Sequence, residues 1–265
     1  MDKTIELVNS VKDIHAMPSV IVKALNIMKK PTASMKELGD IVMYDQSLTI
    51  KFLALVNSAY YGFSQQISSI NIALSLLGMV KVKNIIVAVA MKPMMSNQGD
   101  KELWKHSMRA ASACEYIAGL TKIMDSDEAF IAGFVHDVGK LVLHMTDEKL
   151  YNKVLMMVED GMDILSAEKK YFDSDHVKTG SLLAKRWQLP ILLANTISYH
   201  HTPALSSIPV PCNLVCFADK LVQTKFDPNS VDKDFVKTLG IDFEDLEELR
   251  KVILQKSEVL IAELS

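Results

Sequence analysis

Ala132-Gly133-Phe134-Val135-His136-Asp137-Val138-Gly139-Lys140 is the stretch on which the reading of this chain turns. It lies in an apolar segment, Asp125 to Leu143, that reads as one helix. Neighbouring residues on a helix point about 100° apart. His136 and Asp137 therefore reach one common point only at a helix edge or at a fraying end. Lys140 falls on the His136 face one turn later, where its ammonium suits a phosphate or a bound water as a point charge. Imidazole and carboxylate are ligand types that suit iron, manganese, zinc or nickel.

Six of the seven histidines lie after residue 100. His106 follows Glu102 by four residues, so both occupy one helical face and can address one ion. His176 follows Asp175. His200 and His201 are adjacent, a pair that suits two ions, or one ion and one substrate oxygen. Asp219 sits in an apolar Phe217-Ala218-Asp219 context and can close the shell. Each element alone is common in helices, and the weight lies in the combination. His15 and His144 receive no role.

Hydrophobic residues make up 49% of the 265, and glycine and proline number only ten and eight. Segment after segment carries helical periodicity, so the expectation is an all-α protein with a substantial core. The net charge of -3 and pI near 6.2 give no sign of a nucleic-acid surface. Cys114, Cys212 and Cys216 are too few, and odd in number, for a disulfide framework. Cys212 and Cys216 read as a helix pair rather than a metal clip. The start of the chain lacks the apolar centre of a signal peptide. The longest apolar run, Ile85 to Met91, has seven residues where a membrane span needs about 20. The expectation is a cytoplasmic protein without a membrane partner.

Pro18 opens a helix through Met28, and Ser34 with Glu37 forms a capping box for the next. Asp45 caps a helix bearing Phe52 and Val56. Ser69 to Leu77 closes at Gly78, and Val82 to Met91 follows. The polar stretch Ser96 to Asp100 divides a first lobe, 1–98, from a histidine-bearing lobe, 99–225. That second lobe contains helices Leu103–Leu120, Asp125–Leu143, Asp147–Glu159, Leu165–Phe172, His176–Trp187, Ile191–His200 and Cys212–Val222, with a loop from Pro203 to Pro211. Residues 226–265 form a helical extension, with a solvated acidic face at Glu244, Asp245, Glu247 and Glu248.

The order His106, His136-Asp137, His176, His200-His201, Asp219 resembles the HD superfamily of metal-dependent phosphohydrolases. Glu102 and Lys140 match positions of its HD-GYP branch, whose Gly-Tyr-Pro signature is absent: Thr202-Pro203-Ala204-Leu205 follows His201. Further motifs resemble the HDOD domain, the HD-related output domain of bacterial signalling proteins. They are Met17-Pro18-Ser19-Val20, Asp45-Gln46-Ser47-Leu48-Thr49, Asn57-Ser58-Ala59-Tyr60-Tyr61, Ile70 to Leu74, Leu77-Gly78, Leu103-Trp104-Lys105-His106-Ser107, the opening stretch, and Gly180 to Pro190. The likeness extends from about Val11 to Val222.

This resemblance implies an HDOD fold, with an N-terminal helical lobe packed on an HD-type helical lobe. It implies a signal-transduction or regulatory module whose partner is a signalling protein or a small phosphorylated ligand. It also implies a divalent metal, iron first, with manganese, zinc or nickel as alternatives. His106, His136, Asp137 and Asp219 would hold one ion, and Glu102, His176, His200 and His201 a second or third. In the alternative reading, an active phosphohydrolase, Asp137 and Lys140 are catalytic. Many HDOD domains have lost these ligands, and this chain retains nearly all of them. Asn57, Ser58 and Tyr60 read as capping and turn residues that also border an inter-lobe groove.

Overall fold

The computed structural model describes residues 2–11, 34–44, 46–92 and 98–264. Among these, every regular element is helical, as expected of an all-α chain. The Pro18 helix, the Asp45 cap and His15 lie outside the described residues.

The first helix is α1 (Lys3–Ser10). A group of four follows: α2 (Met35–Tyr44), α3 (Gln46–Val56), α4 (Ile70–Leu77) and α5 (Met79–Met91). The capping box forms: the Ser34 backbone N–H donates to Glu37 Oε2 at 3.0 Å, and the Glu37 N–H donates to Ser34 Oγ at 3.2 Å. Helix α4 closes at Gly78, whose φ of 80° is cheap only for glycine. Helix α5 then starts at Met79, earlier than the expected Val82.

The histidine-bearing lobe comprises α6 (Gln98–Thr121), α7 (Ser126–Val135), α8 (Val138–Thr146), α9 (Glu148–Glu159), α10 (Ile164–Phe172), α11 (His176–Arg186), α12 (Ile191–Tyr199) and α13 (Pro209–Leu221). Aspartates punctuate it. Asp125, Asp147, Asp163 and Asp175 each accept a backbone N–H from the first turn of α7, α9, α10 and α11. The tail supplies α14 (Lys233–Thr238) and α15 (Leu246–Leu264).

Three further details differ from expectation. The segment read as one helix from Asp125 to Leu143 breaks at His136-Asp137. The supposed loop from Pro203 to Pro211 contains a 3₁₀ turn, Pro203–Leu205, and α13 already begins at Pro209, where proline suits a first turn. Helix α6 begins at Gln98, inside the stretch read as a lobe boundary.

One continuous core runs through both lobes and the tail, with Leu38, Phe52, Ile86, Ile117, Phe134, Leu183, Leu214 and Leu260 among its buried members. Each such side chain contributes about 1.5–3 kcal/mol of burial. Helix α1 packs on the second lobe rather than with the helices that follow it. Leu7 joins Leu143, Tyr151, Val154 and Phe172 in a satellite core. The Thr4 and Ser174 hydroxyls meet at 2.9 Å, and Arg186 donates to Asn9 Oδ1 at 2.6 Å. No single helix among the described residues is long and apolar enough to cross a membrane.

Two glycines bracket the helix break and set how closely its neighbours approach. A Cβ on Gly133 would lie 2.8 Å from the Ala110 carbonyl oxygen and the Cys114 sulfur of α6. A Cβ on Gly139 would collide with the His176 carbonyl oxygen and lie 2.7 Å from Gly180 N of α11. Backbone neighbours cannot yield as a flexible side chain would. Gly139→Ala should therefore destabilise the fold by about 3 kcal/mol. That corresponds to a fall in Tm of roughly 6–12 °C for a chain of this size, readable by circular dichroism. A melting temperature equal to that of the wild type would show that α8 and α11 do not depend on this contact.

Candidate metal centre

The break between α7 and α8 makes the centre possible. Asp137 occupies the N-cap position of α8 at φ -96°, ψ 13°, but its side chain makes no capping hydrogen bond. Its carboxylate is turned inward instead, 1% exposed. His136, in the same turn, is fully buried.

Three imidazoles are oriented by one device. His136 Nδ1 lies 2.8 Å from the Gly133 carbonyl oxygen. His200 Nδ1 lies 3.0 Å from Thr196 O and 3.1 Å from Ile197 O. A carbonyl only accepts, so Nδ1 carries the proton and Nε2 presents a lone pair. His176 Nδ1 lies 2.7 Å from Glu168 Oε2, which also accepts the His176 backbone N–H at 2.8 Å. All three Nε2 atoms face Asp137.

The carboxylate of Asp137 divides its two oxygens between two groups. Oδ2 faces His136 Nε2 at 3.2 Å and His106 Nε2 at 3.4 Å. Oδ1 faces His176 Nε2 at 3.4 Å and His200 Nε2 at 3.6 Å. Asp219 Oδ1 completes the first group, 3.0 Å from His106 Nε2 and 3.8 Å from His136 Nε2. In the second group His176 Nε2 lies 3.3 Å from His200 Nε2 and 3.0 Å from His201 Nε2. His106, His136, Asp137 and Asp219 thus gather in one set, and His176, His200 and His201 in another.

These spacings fit cations. Ligand atoms about 2.1 Å from an ion and 90–110° apart are separated by about 3.0–3.4 Å. Hydrogen bonding does not account for the contacts around His106, His136 and Asp137 Oδ1. His106 Nε2, His136 Nε2 and Asp137 Oδ1 are buried and make no hydrogen bond of acceptable geometry. With both Nδ1 atoms protonated, His176 and His200 turn lone pairs toward each other, which is unfavourable without a positive charge between them. The donors are imidazoles and carboxylates, a set that suits iron, manganese, zinc or nickel.

The charge balance agrees. Burial works against ionising Asp137, yet His136, Lys140 and His106 outweigh it and hold its carboxyl well below the usual range. Burial likewise opposes ionising Asp219, and the neighbouring His106 and His136 reverse the effect, leaving its carboxyl well below that range. Burial alone would lower His136, but the two aspartates push it up to about 10. His106 is raised for the same reason. Burial and neighbouring imidazoles push His200 well down, and burial first, then His176, takes His201 down to about 4. Without an ion, protons on the first group balance the aspartates, while the His200–His201 side stays neutral. Lys140 Nζ sits 2.5 Å from Asp137 Oδ2, on the first group's flank.

Glu102 does not join either group. Its carboxylate is 67% exposed and pairs with Lys105 at 2.7 Å. The i, i+4 spacing to His106 fixes only a shared helix face, and one turn along α6 carries Glu102 out of the buried end of the site. Cys212 and Cys216 also stand outside both groups. His144 packs on Tyr151, ring centroids 5.6 Å apart, in the satellite core. Asn57 is structural: its amide bonds the backbone of Leu53 and Ile67. Glu168 escaped the sequence reading. Its signal was a carboxylate on the apolar face Ile164, Ala167, Glu168, Phe172, where it is fully buried.

The sequence profile of the HDOD domain matches residues 14–203. The chain belongs to the HDOD family. An HDOD domain protein from Geobacter sulfurreducens superposes with a TM-score of 0.85 over 99% of this chain and 97% of its own, at 23% identity. A provisionally assigned phosphohydrolase from Shewanella amazonensis SB2B superposes at 0.75 over 98% of each chain, at 20% identity. Likeness at this identity establishes the shared fold. An uncharacterized protein of Treponema pallidum (strain Nichols) is 24% identical over 202 residues, 74% of this HDOD chain and 39% of its own length. YuxH of Bacillus subtilis (strain 168) is 27% identical over 151 residues, 56% of this chain and 36% of its own. The chain thus spans well under half the length of these two curated relatives.

Two measurements check the centre. Glu168→Ala removes the acceptor that aims His176 and should weaken metal affinity about 10–100-fold, read by competition with a chelator. Unchanged affinity would exclude Glu168 from orienting the site. Imidazole ligands must be neutral to bind, and His136, pushed up to about 10, holds a proton at neutral pH in the ion-free protein. Metal uptake should therefore release protons, and apparent affinity should rise with pH from 6 to 9. Calorimetry in buffers of different ionisation enthalpy reads this directly; heats independent of buffer would contradict the assignment.

Proposed function

We propose that this HDOD protein is a signal-transduction or regulatory module organised around an HD-type centre that binds divalent metal, iron first among the candidates. The observation that carries the reading is the division of Asp137, one oxygen toward each group of histidines, at separations suited to two cations. His106, His136 and Asp219 would hold one ion, and His176, His200 and His201 the other, with Asp137 shared. The module passes a state of this centre to a signalling protein partner or a small phosphorylated ligand.

A second reading, a metal-dependent phosphohydrolase, is favoured by Lys140 and by the exposed side of the site. A bound metal pair supplies an acidified water and a clamp for phosphoryl oxygens. Burial works against the charge on Lys140, but Asp137 outweighs it and raises the pKa, so the ammonium keeps its charge. Lys140 is therefore placed to offset negative charge on a phosphoryl group. The His106 side chain is 23% exposed and His201 is half-buried, which leaves one edge of the centre open to a ligand. Asp137 positions Lys140 while presenting both its own oxygens to the two groups.

The test is metal analysis of protein purified without chelator or nickel resin, together with Asp137→Ala. Wild type should carry up to two ions per chain and the variant essentially none. Wild-type metal content in the variant would overturn the ligand assignment. Assays of metal-loaded protein with cyclic dinucleotides, nucleotides and simple phosphoesters then separate the readings. Turnover lost in Asp137→Ala favours the phosphohydrolase, and tight metal without turnover favours the regulatory module.

A further inference from the structure

A cleft of about 790 Å³ opens where the first lobe, α6 and α15 meet, and none of its lining residues belongs to the metal centre. Its size falls within the range of small-molecule sites, roughly 300–1,000 Å³. Tyr60, Tyr61 and Tyr116 contribute aromatic rings to its wall, Lys81 and Lys256 contribute ammonium groups, and Glu115 lies among them.

We propose that this cleft is a second ligand site, one that takes a nucleotide: a planar nitrogen heterocycle bearing an amino group and a phosphate. Aromatic faces accept a flat heterocycle by offset or edge-on stacking. Lys256 Nζ is held 4.7 Å above the Tyr116 ring centroid, so the cation caps one face of that ring and leaves Tyr60 and Tyr61 as the other aromatic rings of the wall. The Glu115 side chain is only 17% exposed. Its Oε2 accepts the Tyr60 hydroxyl at 2.5 Å, and its Oε1 lies 3.5 Å from Lys81 Nζ. Each carboxylate oxygen retains a lone pair for an incoming N–H, and a charged acceptor strengthens that bond.

The site is separate from the metal centre but mechanically joined to it. Glu115 follows His106 by nine residues on α6, about 14 Å along the axis. Helix α15 contributes Lys256 to the cleft and pairs Glu258 with Arg109 Nη2 at 2.7 Å, three residues from His106. A ligand that reseats α15 therefore acts on the helix that presents a ligand of the first metal group.

The test is calorimetric titration of the 265-residue chain, stripped of metal and kept in chelator, with AMP and with IMP, which lacks the exocyclic amine. AMP should bind saturably, one molecule per chain, and IMP at least tenfold more weakly. Lys256→Ala and Tyr116→Ala should each weaken AMP at least tenfold, and Lys256→Ala, at an exposed position, should do so with its melting temperature unchanged. Absence of saturation in the millimolar range overturns the proposal. So does binding that needs added manganese, that both variants leave intact, or that orthophosphate alone reproduces. Equal binding of IMP overturns the role given to Glu115. Because metal is absent throughout, failure here leaves the reading of the metal centre untouched.

Discussion

A carboxylate with 1% exposure has lost its water, and the second lobe is arranged around replacing it. An isolated buried charge costs several kcal/mol. Asp137 meets that cost with Lys140 and with four imidazole edges within 3.6 Å. The same groups that make the burial tolerable leave three polar atoms without hydrogen bonds. A hydrophobic core of this quality rarely carries such orphans without a reason. Cations at the centre of the donors would satisfy them, which is why the electrostatics and the proposed ligand sets agree.

That arrangement needs backbones closer than side chains ordinarily allow. Gly133 lets α7 lie against α6, and Gly139 with Gly180 lets α8 lie against α11. Both glycines sit within a nine-residue stretch, three positions before His136 and two after Asp137. Helix α6 thereby brings His106 to one oxygen of Asp137, and α11 brings His176 to the other. The break between α7 and α8 lets two adjacent residues face the same interior. Outer contacts then fix the rings: carbonyls of Gly133, Thr196 and Ile197, and the carboxylate of Glu168. Local helix termination, close packing and ring orientation are successive steps of one construction.

The helices were legible where punctuation was strong. Ser34 with Glu37, Asp147 and Gly78 mark ends that the structure places within a residue or two of expectation. The Asp125 to Leu143 segment was not legible in this way. Its periodicity continues through His136-Asp137, and the break is enforced by tertiary contacts around Gly133 and Gly139. Glu102 shows the complementary error. Spacing assigned it to the His106 face, but a face is wider than a binding site, and a nearby lysine in solvent claims its carboxylate. Glu168 carried only a faint signal, a carboxylate within an apolar stripe, which does not name its partner across the fold.

The sequence by itself determined the helical class, the family and the chemistry of the donors, because these rest on local periodicity and on residue type in order. Tertiary structure alone decided which donors meet. Seven side chains from five places between residues 106 and 219 converge only after α6, α11, α12 and α13 pack around the α7–α8 turn. Such convergence depends on contacts between residues far apart in the chain, and no local pattern encodes their distances. The same holds for the tyrosine-lined cleft, whose walls come from the first lobe, α6 and a tail helix that begins more than 120 positions after Glu115.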